Sequence, residues 1–239
     1  MSDPPRLHLA QYNIARLRHP VDHPASAGFV GLIDETNAHA EASPGFVWRH
    51  GIDTRDVNDT PYDDRLITVN ASMWESVAAL RDFAYRGFHR DVFRRRQEWM
   101  TDSAAIMWWQ PAGVPPSLQT CMARLAFHDA HGPSPYTFET GQQHPVLAVV
   151  PDGPRGVRMW LVDRWVGDAR WHVEDGQTTS ARLEAFRVDD ATAAPLAVLR
   201  AALQDAVEAA LRDGGITTLA DADGEWRTIA PITARRMAG

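Results

Sequence analysis

The chain has 239 residues, enough for one large or two small domains, and its 44% hydrophobic and 23% charged content sets aside a disordered, collagenous or coiled-coil protein. The net charge is −7 and all 24 basic residues are arginine, so no lysine is present for a Schiff base or a Walker A loop, and with no basic tail general nucleic-acid binding is disfavoured. Cys121 is the single cysteine, which excludes an intrachain disulfide; no apolar run approaches the ~18 residues of a membrane span.

In chain order, residues 6–17 read as a strand, followed by a loop with two His-Pro pairs. Phe29, Leu32, Ile33 and Ala40 then recur at helical spacing up to Pro44-Gly45, which marks a first helix. Residues 45–52 form a short β-rich stretch, 53–64 a polar loop and 65–74 a third strand. One long helix is expected over 75–99, with Val77, Leu80, Ala84, Phe88, Val92 and Trp99 as its apolar stripe. Residues 104–113 read as a fourth strand, and Ser117 caps a helix that runs to His131 before Gly132-Pro133.

This β-α-β-β-α-β order predicts an α+β fold, a ferredoxin-like antiparallel sheet with its helices on one face, over residues 1–140. The first strand is apolar on both sides, so the uncovered face requires a second copy, making a homodimer, or cover from the C-terminal region. Residues 141–239 predict a smaller α+β unit: strands at 146–151, 157–166, 169–175 and 180–189, then a helix with Leu196, Leu199, Leu203, Val207 and Leu211 as its stripe. Gly214-Gly215 ends that helix, and 216–229 reads as a hairpin whose 221–225 turn lacks the pattern of a calcium loop. The start has no signal-like segment, so a cytoplasmic location is expected.

The phrases LAQYNIARL, PGFVWR, VNASMWESVAALRDFAYRGFHRDVFRRRQEW, IMWWQPAG and GPSPYTF, all within residues 7–138, together resemble an uncharacterised bacterial domain family of the dimeric α/β-barrel superfamily, which includes the antibiotic-biosynthesis monooxygenases. The resemblance implies paired ferredoxin-like sheets. It does not by itself imply a reaction, because the superfamily spans cofactor-free oxygenases, haem enzymes, isomerases and non-catalytic modules. The C-terminal part resembles no family.

On the long expected helix, Tyr85, His89 and Arg96 fall along one edge of the stripe, where an imidazole base beside a guanidinium suits deprotonation of a phenolic or enolic substrate. The alternative is a polar border between core and water. The resembling oxygenases hold an enolate with an asparagine, a tryptophan and an arginine; the matching types here are Asn13 or Asn70, Trp48 or Trp74, and Arg49 or Arg96. Asn13, Trp48, Asn70, Trp74 and Trp108 are the expected substrate-binding residues, with tryptophans in the core as the competing account. No metal is expected, since His19/His23 and His128/His131 lack a third ligand at fixed spacing. No cofactor is expected either, haem on His89 being the exception considered. The chemistry suggested is that of a cofactor-independent monooxygenase or isomerase acting on a flat aromatic or polyketide-type small molecule in bacterial biosynthesis, with neither nucleic acid nor membrane as partner. A non-catalytic ligand- or haem-binding module, or a structural dimerisation protein, is the alternative.

Overall fold

A computed structural model describes residues 4–53, 55, 61–171, 179–186, 196–216, 218–220, 226–229, 232 and 237. The architecture is mixed α+β. Its contacts divide it into an N-terminal unit, His8–Met107, and a C-terminal unit, Trp108–Ala234. This division falls inside a strand, whereas the sequence placed its boundary near residue 140.

The N-terminal unit contains β1 (Leu7–Leu17), α1 (Ala27–Val30), α2 (Ile33–Glu41), β2 (Phe46–Arg49), β3 (Ile67–Trp74), α3 (Val77–Tyr85), α4 (Gly87–Arg95) and most of β4 (Met100–Pro111). The strand order is β4-β1-β3-β2, the split arrangement that two helical crossovers around a central β2-β3 hairpin produce. β1 pairs antiparallel with β3, setting Gln11 opposite Ser72, Tyr12 opposite Ala71 and Asn13 opposite Asn70. Strand periodicity then gives two faces. Ala10, Tyr12, Ile14, Val69, Ala71 and Met73 form one, buried within the single chain. Gln11, Asn13, Asn70, Ser72 and Trp74 form the other, where the Trp74 ring stacks on Phe83 of α3 at 5.0 Å.

The long helix expected over 75–99 is broken. α3 stops at Tyr85, Arg86 is extended at φ −122° and ψ 155°, and α4 starts at Gly87 with φ +61°. A left-handed residue, which glycine tolerates at little cost, re-aims the chain, and a 3-10 turn (Arg96–Glu98) follows α4. The first helix is likewise divided at Gly31-Leu32.

The C-terminal unit contains the end of β4, α5 (Leu118–His131), β5 (Leu147–Pro151), β6 (Gly156–Leu161), β7 (Arg164–Trp171), β8 (Thr179–Phe186), α6 (Leu196–Asp213), β9 (Thr218–Ala220) and β10 (Trp226–Thr228). Its strands run in the order β10-β9-β8-β7-β6-β5, and Ala148 of β5 pairs parallel with Trp109 of β4. Ser117 caps α5 by accepting the Thr120 N–H at 3.0 Å, as its sequence position suggested. The expected strand over 157–166 is instead a hairpin that turns at Val162-Asp163, and the segment expected as a strand from 169 continues β7. The turn carries no glycine; Val162 itself takes φ +58°. The core joins Leu199, Leu203, Val207 and Leu211 of α6 to Phe127 of α5 and to β5, β6 and β7. Leu196, assigned to that stripe from sequence, is exposed. The 221–225 turn lies outside the described residues. Among the described residues, no helix is long and apolar enough to cross a membrane.

Candidate functional site

The break between α3 and α4 opens a cleft of about 280 Å³ in the N-terminal unit, lined by His39, Pro44, Phe83, Arg86, Phe88 and His89 among others. Next to the lining residues Pro44 and Ala79, Gly45 takes φ +80°, and a methyl group there would meet the Ala79 methyl at 2.6 Å. The missing side chain lets the turn after α2 approach α3. The volume is just below the ~300–1,000 Å³ of sites for drug-sized ligands, and suits a molecule of one or two rings.

His89 is held by two groups. Its Nδ1 lies 3.1 Å from the Ala84 carbonyl oxygen, which accepts only, so the neutral ring carries its proton on Nδ1 and its lone pair on Nε2. Its ring packs on Phe83 with centroids 4.4 Å apart, and Phe83 in turn stacks on Trp74. Burial pushes the imidazole below its ordinary pKa of 6.5, outweighing the opposing effect of the Ala84 carbonyl. The neutral imidazole is therefore favoured at pH 7, and His89 lines the cleft together with Phe83 and Phe88. His39, which the sequence did not single out, lines the same cleft with its ring stacked on Phe88 at 5.0 Å and 9°. At the rim Arg86 pairs with Asp82 at 3.2 Å, both well exposed.

Tyr85 and Arg96 do not share this cleft with His89. The seven-residue step that aligned the three requires one continuous helix, and the Arg86-Gly87 break removes it. Tyr85 is 44% exposed and meets Phe93 edge-on at 6.0 Å. Arg96 donates to the Phe93 carbonyl at 3.0 Å and covers its ring at 4.1 Å.

On the sheet, Asn13 and Asn70 face each other across β1 and β3, half-buried on the Trp74 side. A polar chain runs beside them: Trp74 Nε1 donates to Ser72 Oγ at 3.0 Å, Ser72 Oγ to Gln11 Oε1 at 3.0 Å, and Gln11 Nε2 to Asn13 Oδ1 at 3.3 Å. Trp74 is fully buried with its N–H used in this chain, so it supports the sheet and Phe83. Trp48, opposite Met73, lies on the other face, edge-on to His50. Trp108 belongs to the C-terminal unit, fully buried, its Nε1 donating to Gln110 Oε1 at 2.9 Å. Trp74 and Trp108 are both buried among the core residues. Arg49 donates to Glu41 at 2.6 Å.

A second polar cluster, missed from sequence, lies in the C-terminal unit. Arg124 of α5, fully buried, donates to the Tyr136 carbonyl at 3.0 Å and covers the Tyr136 ring at 3.5 Å; Tyr136 donates its hydroxyl to Asp205 of α6 at 3.0 Å. Burial, only partly offset by Arg124, pushes Asp205 up to about 6. Burial also holds the Cys121 thiol far above its ordinary range, so it is inert as a nucleophile. Among the described residues, no group of three His, Cys, Asp or Glu side chains could hold a metal ion.

The geometry is that of a mixed α+β domain with a histidine-lined cleft between its helices. Residues 8–150 match the family described as Domain of unknown function (DUF3291), and the chain belongs to that family. No curated protein matches the sequence. Two solved structures resemble it in part. SnoaB, a cofactor-independent oxygenase from Streptomyces nogalater, is 17% identical, with a TM-score of 0.34 over 47% of this chain and 97% of its own. The NE2512 protein of unknown function from Nitrosomonas europaea is 9% identical, with a TM-score of 0.35 over 48% of this chain and 99% of its own.

Proposed function

We propose that the N-terminal unit, a ferredoxin-like domain of the dimeric α/β-barrel type, is a small-molecule enzyme that works without a bound cofactor, and that His89 is its catalytic base. The observation that carries this reading is the His89 imidazole, neutral and with its tautomer set by the Ala84 carbonyl, on the wall of an apolar cleft. A base of this kind takes a proton from an acidic C–H or O–H, and general-base help is typically worth ~10²–10⁴-fold in rate. Phe83 and Phe88 offer flat walls to a conjugated ring system, and Arg86 at the rim offers a cation to the developing oxyanion.

Two outcomes follow from the carbanion. In the oxygenase reading it reacts with dioxygen: a methylene becomes a carbonyl and one water leaves, so CH₂ + O₂ balances C=O + H₂O. In the isomerase reading the proton returns at another carbon and no oxygen is used. Asn13 and Asn70 are the reserve binding site on the sheet, should the cleft not be the place of reaction.

The test uses purified protein with flat enolisable ketones and naphthols, following oxygen uptake and product formation. Uptake that requires His89 supports the oxygenase; rearrangement without uptake supports the isomerase; tight binding without turnover makes the chain a ligand-binding module. A haem absorption band in the purified protein would contradict cofactor independence.

A further inference from the structure

We propose that the outward face of α4 docks on an anionic lipid surface. α4 contributes no residue to the core, yet it presents Phe93, 39% exposed, in contact with Tyr85, 44% exposed. Arginine lies beside this aromatic pair. Arg90 stands three residues before Phe93, Arg94 follows Arg90 by four, and Arg96 lies over the Phe93 ring. Residues 81–98 hold six arginines, Arg81, Arg86, Arg90, Arg94, Arg95 and Arg96, against three carboxylates, Asp82, Asp91 and Glu98. The surplus is three positive charges in a chain whose total is −7.

The carboxylates pair with Arg86, Arg90, Arg94 and Arg95, but every one of these pairs is exposed, and such pairs are weakly held. Lipid phosphates can therefore compete for the guanidiniums, which match phosphate oxygens two at a time. Aromatic bodies and long arginine stems are also the side chains that settle at the headgroup level, and a basic amphipathic helix lies in that plane without spanning the bilayer. A second copy of this chain fits less well, because a two-fold contact through α4 sets one positive surplus against its equal. The sequence predicts no membrane partner, an expectation that binding to anionic vesicles would overturn.

The experiment is co-sedimentation of the full chain with vesicles of phosphatidylglycerol mixed with phosphatidylcholine, against phosphatidylcholine alone, at low salt. Binding to the anionic vesicles only is expected, weakened by added salt as charges are screened. The double variant Arg90→Glu/Arg94→Glu should bind about tenfold or more weakly. Phe93→Ser should weaken binding even at low salt, and Arg65→Glu, a change at another exposed arginine, should leave it intact. Circular dichroism establishes that each variant is folded. No binding to the anionic vesicles, or undiminished binding by the folded double variant, overturns the proposal.

Discussion

At the scale of single residues, two neighbours define the proposed base His89: the Ala84 carbonyl sets its tautomer, and burial favours its neutral form. A base whose pKa is depressed stays competent as pH falls past the ordinary histidine value, so the acid limb of the pH–rate profile should have its midpoint below about 6.5. Replacing the Ala84 carbonyl is not possible by mutation, but His89→Gln keeps a donor for it while removing the base. That variant should fold normally and lose ~10²–10⁴-fold in rate, read as kcat with the melting temperature alongside. Gly45 gives a second prediction. At φ +80° and 2.6 Å from Ala79, Gly45→Ala should cost roughly 1–3 kcal/mol in denaturant unfolding, through overpacking and left-handed strain. Val162 is the converse case: Val162→Gly at φ +58° relieves a strain of roughly 1–2 kcal/mol and should raise the melting temperature.

At the scale of elements, α5 and α6 are joined by Arg124, Tyr136 and Asp205. Removing one member of a buried charged group strands the other, so Arg124→Met should destabilise by about 3–5 kcal/mol. Asp205 adds a pH signature. Its folded pKa, about 6, lies above the ordinary 3.8, so the folded state holds more protons between those values. Its stabilising contribution is full below pH 3.8 and lost as pH rises through 6. Asp205→Asn keeps an acceptor for Tyr136 and should remove that part of the slope when unfolding is compared between pH 4 and 7. None of these partners was legible in the sequence, because Tyr136 and Asp205 are 69 positions apart. By contrast, Ser117, the spacing of Leu199, Leu203, Val207 and Leu211, and the edges of β1 and β3 were legible, since each rests on local capping or periodicity. The helix break at Arg86 was written as a lone Arg-Gly inside a strong apolar stripe. Periodicity continued across it, which is how Tyr85 and Arg96 came to be placed beside His89.

At the scale of the whole molecule, the sequence required cover for the apolar face of β1, by a second copy or by the chain itself. Tyr12, Ile14, Ala71 and Met73 on that face are already buried in one chain. Light scattering should therefore give the 26.6 kDa of a monomer; a dimer that buries this face would contradict the arrangement described. Of the site residues expected from sequence, His89 alone lines the helical cleft, and Asn13 and Asn70 meet across the sheet. Trp74 and Trp108 turned out to be core because their N–H groups are satisfied two residues away on their own strands.

The central claim is that His89 in the α3–α4 cleft removes a proton from a flat carbon acid. Its most direct measurement is the exchange of solvent deuterium into the acidic C–H of 2-tetralone and related bicyclic ketones, followed by proton NMR with the wild-type chain and with His89→Gln. The claim predicts accelerated exchange by the wild type and a loss of ~10²–10⁴-fold in the folded variant. Equal exchange by both proteins, or none above buffer with any of these ketones, would contradict it.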